Sequence, residues 1–284
     1  MVAPSLQNAQ SVTHARPLAR LLALGRPLVM GILNVTPDSF SDGGQFFDPQ
    51  RAIAQAQRMV AEGADILDIG AESTRPYGNA APVPEQEEWR RLAPVLPAAV
   101  APGVPVSIDS MKAAVAEKAL AAGAAIINDV WGLQHDPDMA RVVAEHGVPI
   151  VIMHNRDRAD PAINIMADIA VFFSRSLDIA ARAGIARENI VLDPGIGFGK
   201  TPEQSITAIA RLAELQSFGL PLLIGASRKR FIDKTSPAPP DQRLGGSIVS
   251  HLIAINNGAT IVRTHDVAET VQALKVAAAL RAAR

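Results

Sequence analysis

No cysteine occurs anywhere in the 284 residues, so disulfides, thiolate catalysis and thiolate-ligated metals are excluded. Net charge is almost absent too. The chain carries 27 Lys and Arg against 28 Asp and Glu, a formal charge of -1, which gives no electrostatic reason to expect nucleic acid or an acidic membrane as partner. Long apolar runs are also missing: stretches such as Val148 to Met153 fall far short of the ~20 residues that cross a bilayer. The N-terminal MVAPSLQNAQSVTHARPLARLLALG lacks the charged, apolar, small-residue order of a secretory signal. It is basic with a Leu/Ala-rich stretch, so a transit peptide stands as the alternative to a polar tail. The expectation is a cytoplasmic protein.

What is present is apolar and regularly punctuated. Hydrophobic residues make up 48% and charged residues 19%, enough for a large core. A glycine precedes each of eight short apolar runs, at Gly25, Gly63, Gly103, Gly123, Gly147, Gly184, Gly219 and Gly258. The runs, among them Leu28–Leu33, Ile66–Ile69, Pro149–Met153 and Ile190–Leu192, are too short for helices and read as strands buried on both faces. Between them, stretches such as Gln50–Glu62, Glu85–Val100, Met111–Ala122 and Glu203–Gln216 have helical spacing, and glycine just past a helix is its usual cap. Eight such units predict one (β/α)8 barrel of the TIM type over residues 25–284, after a tail at 1–24, with long loops after strands 1 and 2. An open doubly wound sheet is the alternative.

Each run ends in polar residues: Asn34, Asp68 and Glu72, Asp109, Asn128 and Asp129, His154, Asp193, Ser227, then Arg263 with His265. In a barrel these ends share the face that carries the active site. Asp, Ser and Asn are also good helix caps, a reading that suits Ser110, Asp129 and above all Asp266. It does not suit Glu72, Lys229, Arg263 or His265. Two nucleotide-like signals fail on spacing. Gly199-Lys200-Thr201 ends like a P-loop, but Pro194 stands where that loop needs its first glycine, and GIGFG is not G-x-G-x-x-G. The glycines are better read as letting backbone pass close to a flat ligand, with Phe198 at its edge. The segments Thr36–Gly44 and Glu72–Gly78 have the composition of mobile lids over a substrate.

Taken in order, MGILNVTPDSFSDGG, DIGAESTRP, SIDS, IINDV, LDPGIGFGK, GASRKR and VRTHDV resemble the dihydropteroate synthase family, from Met30 to Val267. The resemblance implies an enzyme that joins 6-hydroxymethyl-7,8-dihydropterin diphosphate to p-aminobenzoate, releasing diphosphate, and that is a target of sulfonamides. It implies a pterin frame of Asp109, Asn128, Asp193, Lys229 and Arg263. Diphosphate would meet Asn34, Thr74, Arg75, Arg263 and His265. Thr74, Pro76, Phe198, Ser227 and Arg230 would surround p-aminobenzoate. Mg²⁺ would be held through Asn34, and the catalytic set would be Asp38, Arg75, Lys229, Arg263 and His265. His154 is expected to shape the pocket. Tyr77, the only tyrosine, departs from the arginine-proline-glycine pattern of loop 2. A homodimer through the C-terminal barrel helices is implied by similarity. A pterin-dependent methyltransferase would lack the TPDSFSDGG and STRP loops, and a non-catalytic pterin-binding paralogue would have eroded them or the Arg263/His265 pair.

Overall fold

The apolar runs form eight parallel strands: β1 (Leu28–Asn34), β2 (Ile66–Gly70), β3 (Val106–Asp109), β4 (Ile126–Asp129), β5 (Ile150–Met153), β6 (Ile190–Asp193), β7 (Leu222–Ile224) and β8 (Ala259–Thr264). They close in sequence order, with β8 pairing back onto β1. The computed structural model describes residues 17–36, 48–72 and 83–283. The fold is the expected (β/α)8 barrel, not an open sheet.

Strand pleating sorts the buried residues into two sets, because neighbours along a strand face opposite ways. One set, including Leu67, Ile69, Ile108, Ile127, Ile152, Leu192 and Val262, belongs to the core shared with the surrounding helices. The alternate set, Leu28, Met30, Ile66, Ile126, Val151, Val191, Leu223 and Ile261, forms a separate apolar cluster filling the barrel. Two residues further along that inward face stand Asp68 after Ile66, Asn128 after Ile126, Asp193 after Val191 and Arg263 after Ile261. The same period of two therefore gives an apolar interior and a polar mouth.

The helices between the strands are α2 (Pro49–Ala61), α3 (Glu85–Leu92), α4 (Leu96–Val100), α5 (Ala113–Ala121), α6 (Met139–His146), α7 (Ile165–Ala183), α8 (Pro202–Ala210), α9 (Arg230–Thr235) and α10 (Leu244–Asn256). The chain closes on α11 (Val267–Ala282). Two expectations need correction. The single helix over 85–100 is two, broken where Pro94 and Pro97 remove backbone donors. The helix over 203–216 stops at Ala210 and continues as a 3₁₀ segment, Leu212–Phe218. All eight punctuating glycines have positive φ, from 62° at Gly219 to 103° at Gly123. Part of the segment ahead of β1 is helical. Residues Pro17–Leu22 form α1, and Leu18, 1% exposed, joins the cluster inside the barrel at the N-terminal end of the strands. Among the described residues, no helix is long and apolar enough to cross a membrane.

Candidate active site at the barrel mouth

Asp109, Asn128, Asp193, Lys229 and Arg263, the expected frame, meet at the C-terminal end of the barrel. Arg263 Nε donates to Asp68 Oδ2 at 2.6 Å, and its Nη2 donates to Asp109 Oδ2 at 2.7 Å. Asn128 Nδ2 reaches the same Asp68 oxygen at 3.1 Å. Asp68 is wholly buried and is the hub of this network, a role the sequence reading did not give it. Its signal was available: it stands two residues past Ile66 on the inward face. The remaining oxygens, Asp68 Oδ1, Asp109 Oδ1 and Asn128 Oδ1, are buried with no hydrogen-bond partner. Leaving such an atom unpaired costs about 1–3 kcal/mol. Three of them on consecutive strand ends form an array of acceptors suited to a ligand edge rich in N–H donors.

The charges of the frame are held away from their usual ranges. Burial pushes Asp109 up to about 7, against the pull of Arg263 and Lys229 and with the push of Asp68 and Glu88. Burial also raises Asp193, while the Gly195 N–H, 2.7 Å from Asp193 Oδ1, and Lys229 act the other way. Lys229 is lowered to about 7, again by burial, with Asp193 opposing. Burial disfavours the Arg263 charge, but Asp68 and Asp109 outweigh it, so the guanidinium is more basic than usual. Lys229 Nζ donates to Ile196 O and stands 4.2 Å from the centroid of the Phe198 ring. Phe198 itself packs with Val130 and Met153, flanked by Met111 and Trp131. A thin apolar wall beside a row of acceptors suits a flat heteroaromatic ring.

The connections after β7 and β8 converge next to this frame. Ser227 Oγ and His265 Nδ1 are 2.9 Å apart, and the His265 backbone N–H donates to the same hydroxyl at 3.1 Å. Two residues expected to serve different substrates are thus bonded to each other. Asn34, His265 and Arg228 line a cleft of about 220 Å³ with Gln55 and Arg58. Arg230 opens α9 and is exposed. Asp266 pairs with the Arg228 guanidinium and makes no side-chain cap on α11. Asp129 likewise accepts from the Trp131 and Leu133 backbones, 2.9 and 2.6 Å away, and holds the turn after β4. No group of three His, Cys, Asp or Glu side chains able to hold a metal occurs among the described residues. The single hard oxygen of Asn34 fits magnesium bound chiefly by substrate phosphate and water, not a cage built by protein alone.

The glycine loop after β6 is indeed a place of close backbone approach, but what comes close is the segment after β5. A Cβ on Gly195 would overlap the His154 carbonyl, and one on Gly199 would overlap Arg156. His154 is fully buried and bonded on both ring nitrogens, to Lys200 and Asp168. Lys200, whose neighbours in sequence imitate a P-loop, is 2% exposed. Asp38, Thr74, Arg75, Pro76 and Tyr77 lie outside the described residues. The base of loop 2 is described: Glu72 Oε1 accepts from Val83 N at 3.0 Å, and Lys112 bridges Glu72 to the buried Glu88.

Comparison with known proteins agrees with this geometry. The family model for pterin binding enzymes matches residues 30–265. A dihydropteroate synthase of Bacillus subtilis is 45% identical over 266 residues, covering 93% of this chain and 92% of that protein. The crystal structure of a Clostridium difficile dihydropteroate synthase in the presence of pteroic acid superposes with a TM-score of 0.86 at 46% identity, covering 90% of this chain and 97% of that one. The Xanthomonas albilineans enzyme with 4-aminobenzoic acid gives 0.86 at 45% identity, covering 91% and 94%. With the motifs, the barrel and the acceptor-lined mouth all in agreement, the chain belongs to the dihydropteroate synthase family of pterin-binding enzymes.

Proposed function

We propose that the chain is an active dihydropteroate synthase of folate biosynthesis, a transferase that condenses 6-hydroxymethyl-7,8-dihydropterin diphosphate with p-aminobenzoate. The observation that carries this reading is the row of unpartnered buried oxygens on Asp68, Asp109 and Asn128, beside Asp193. A pterin presents an amino group and ring N–H donors along one edge, the complement of such a row. Lys229 faces the ring's oxygen and N5 acceptors. Arg263, fixed by two carboxylates, offers its flat guanidinium to the ring and its charge to the diphosphate.

The reaction needs no enzyme nucleophile. Diphosphate leaves the pterin methylene, the resulting cation is delocalised into the ring, and the neutral arylamine attacks the methylene carbon and releases its proton to solvent. The protein stabilises the leaving group and keeps water from the cation. Arg263 and His265 serve the diphosphate, with Thr74 and Arg75 from loop 2. Asn34 would hold magnesium together with substrate phosphate and water, and the ion would supply further neutralisation of the leaving group. Asp38 and Arg75 belong to the loops that close over the reacting carbon. Thr74, Pro76, Phe198, Ser227 and Arg230 surround p-aminobenzoate, and a sulfonamide competes there. A homodimer and a cytoplasmic location complete the reading. The dimer is supported by the exposed Val249 and Ile253 on α10 and Val276 and Leu280 on α11.

The test is product analysis with purified protein, both substrates and Mg²⁺. Formation of 7,8-dihydropteroate and diphosphate in equal amounts is expected. Absence of both overturns the reading.

A further inference from the structure

Among the described residues, Lys200 is the largest buried charged side chain that the proposed chemistry does not use. Its Nζ lies 2.6 Å from His154 Nδ1, 2.9 Å from the Gly195 carbonyl and 3.1 Å from the Phe198 carbonyl. On the far side of the ring, His154 Nε2 is 3.0 Å from Asp168 Oδ2, and Asp168 Oδ1 accepts from Arg156 at 2.8 Å. Burial, with the Lys200 charge, holds His154 down at about 3, so its ring is neutral and carries one hydrogen. Asp168, paired with Arg156, is a carboxylate and only accepts, so Nε2 must carry the imidazole hydrogen. Nδ1 then presents a lone pair and accepts from Lys200. Lys200 Nζ thus stands among three acceptors, two of them carbonyls at the two ends of the turn Gly195–Phe198, and burial pushes the lysine well below its usual range.

That turn sets the pterin-facing groups. Its first residue donates to Asp193 Oδ1 and its last carries the Phe198 ring, while Lys229 binds the Ile196 carbonyl between them. We infer that Lys200 is a positioning residue for the pterin substrate, and that Asp168, through the tautomer it imposes on His154, directs Lys200 Nζ onto the turn bearing Asp193 and Phe198. The inference rests on the proposed function for the identity of the ligand. It adds a role for three residues outside the pterin frame: one on α7, one after β5 and one at the end of the glycine loop.

The experiment compares wild type with Lys200→Met, which keeps length but removes the donors, and with Asp168→Asn and Asp168→Glu on the partly exposed face of α7. Binding of 6-hydroxymethyl-7,8-dihydropterin diphosphate with Mg²⁺ is measured by calorimetry, and the His154 tautomer by ¹⁵N NMR of the unliganded protein. We expect an Nε2–H imidazole in wild type. Affinity should fall about tenfold or more in Lys200→Met and about fivefold in Asp168→Asn, the loss of one or more buried hydrogen bonds, with recovery in Asp168→Glu. An Nδ1–H imidazole in wild type overturns the inference. So does pterin binding within about twofold of wild type in both Lys200→Met and Asp168→Asn. If Lys200→Met does not fold, Asp168→Asn and its rescue decide the matter. Failure of wild type itself to bind overturns the functional reading as well, and is distinguished from the other results by that.

Discussion

Replacing Asp68 by asparagine keeps the shape of the hub and removes its charge. In the native barrel one Asp68 oxygen serves both Arg263 Nε, at 2.6 Å, and Asn128 Nδ2, at 3.1 Å. A neutral amide oxygen can still accept both, but a charge-assisted bond is roughly twice as strong as a neutral one. The difference is about 1–2 kcal/mol. Arg263 would still pair with Asp109, so the loss stays below the ~3–5 kcal/mol of a buried ion left wholly unpaired. At about 2–4 °C per kcal/mol for a domain of this size class, the melting temperature should fall by about 2–8 °C. A second effect reads the site directly. Asp68 is one of the groups that raise Asp109, so the Asp109 carboxyl in the variant should titrate at lower pH, measured by ¹³C NMR of the carboxyl. Thermal unfolding and this titration together form the assay. A melting temperature within about 1 °C of wild type and an unmoved Asp109 would refute the claim that Asp68 organises the mouth.

Pterin affinity should follow a bell-shaped pH profile centred near 7: the acid limb reports protonation of Asp109 and the alkaline limb loss of the Lys229 proton, each at about 7. Calorimetry from pH ~5 to ~9 checks this, and a flat profile contradicts it. For stability the signs are opposite. Asp109 titrates above its unfolded value of 3.8, so its contribution is full below about pH 4 and is lost as pH rises through about 7. Lys229 titrates below 10.5, so its contribution is lacking below about pH 7 and is gained as pH rises toward 10.5. Leu18→Ala empties the N-terminal end of the barrel interior and should cost about 2–5 kcal/mol in urea unfolding, with substrate KM unchanged because the mouth is at the other end.

Much of this architecture can be read from the chain itself because it depends on local rules. The eight glycines mark strand approaches because only they take positive φ cheaply, and the strands lie where the apolar runs lie. What could not be read is pairing across the barrel. Asp68 and Arg263 are 195 residues apart, and nothing local says that one buried carboxylate will hold both Arg263 and Asn128. Lys200 was hidden for a related reason. Next to glycine and threonine it resembles a phosphate ligand, and only the contact with His154 shows that it faces inward. The split of 85–100 was legible in Pro94 and Pro97, whose missing donors outweigh the helical periodicity. Asp266 and Asp129 look like caps by residue type, but Arg228 and the turn after β4 supply stronger partners.

Asp193 gripping the donor edge of a pterin is the central contact of the site. Asparagine at that position keeps one acceptor and sets an amide N–H₂ against ring donors. Calorimetric titration of 6-hydroxymethyl-7,8-dihydropterin diphosphate with Mg²⁺ into wild type and Asp193→Asn measures the grip. The predicted result is binding to wild type and a loss of about a hundredfold, or ~2.7 kcal/mol, in the variant. Equal affinity for the two proteins would contradict the account.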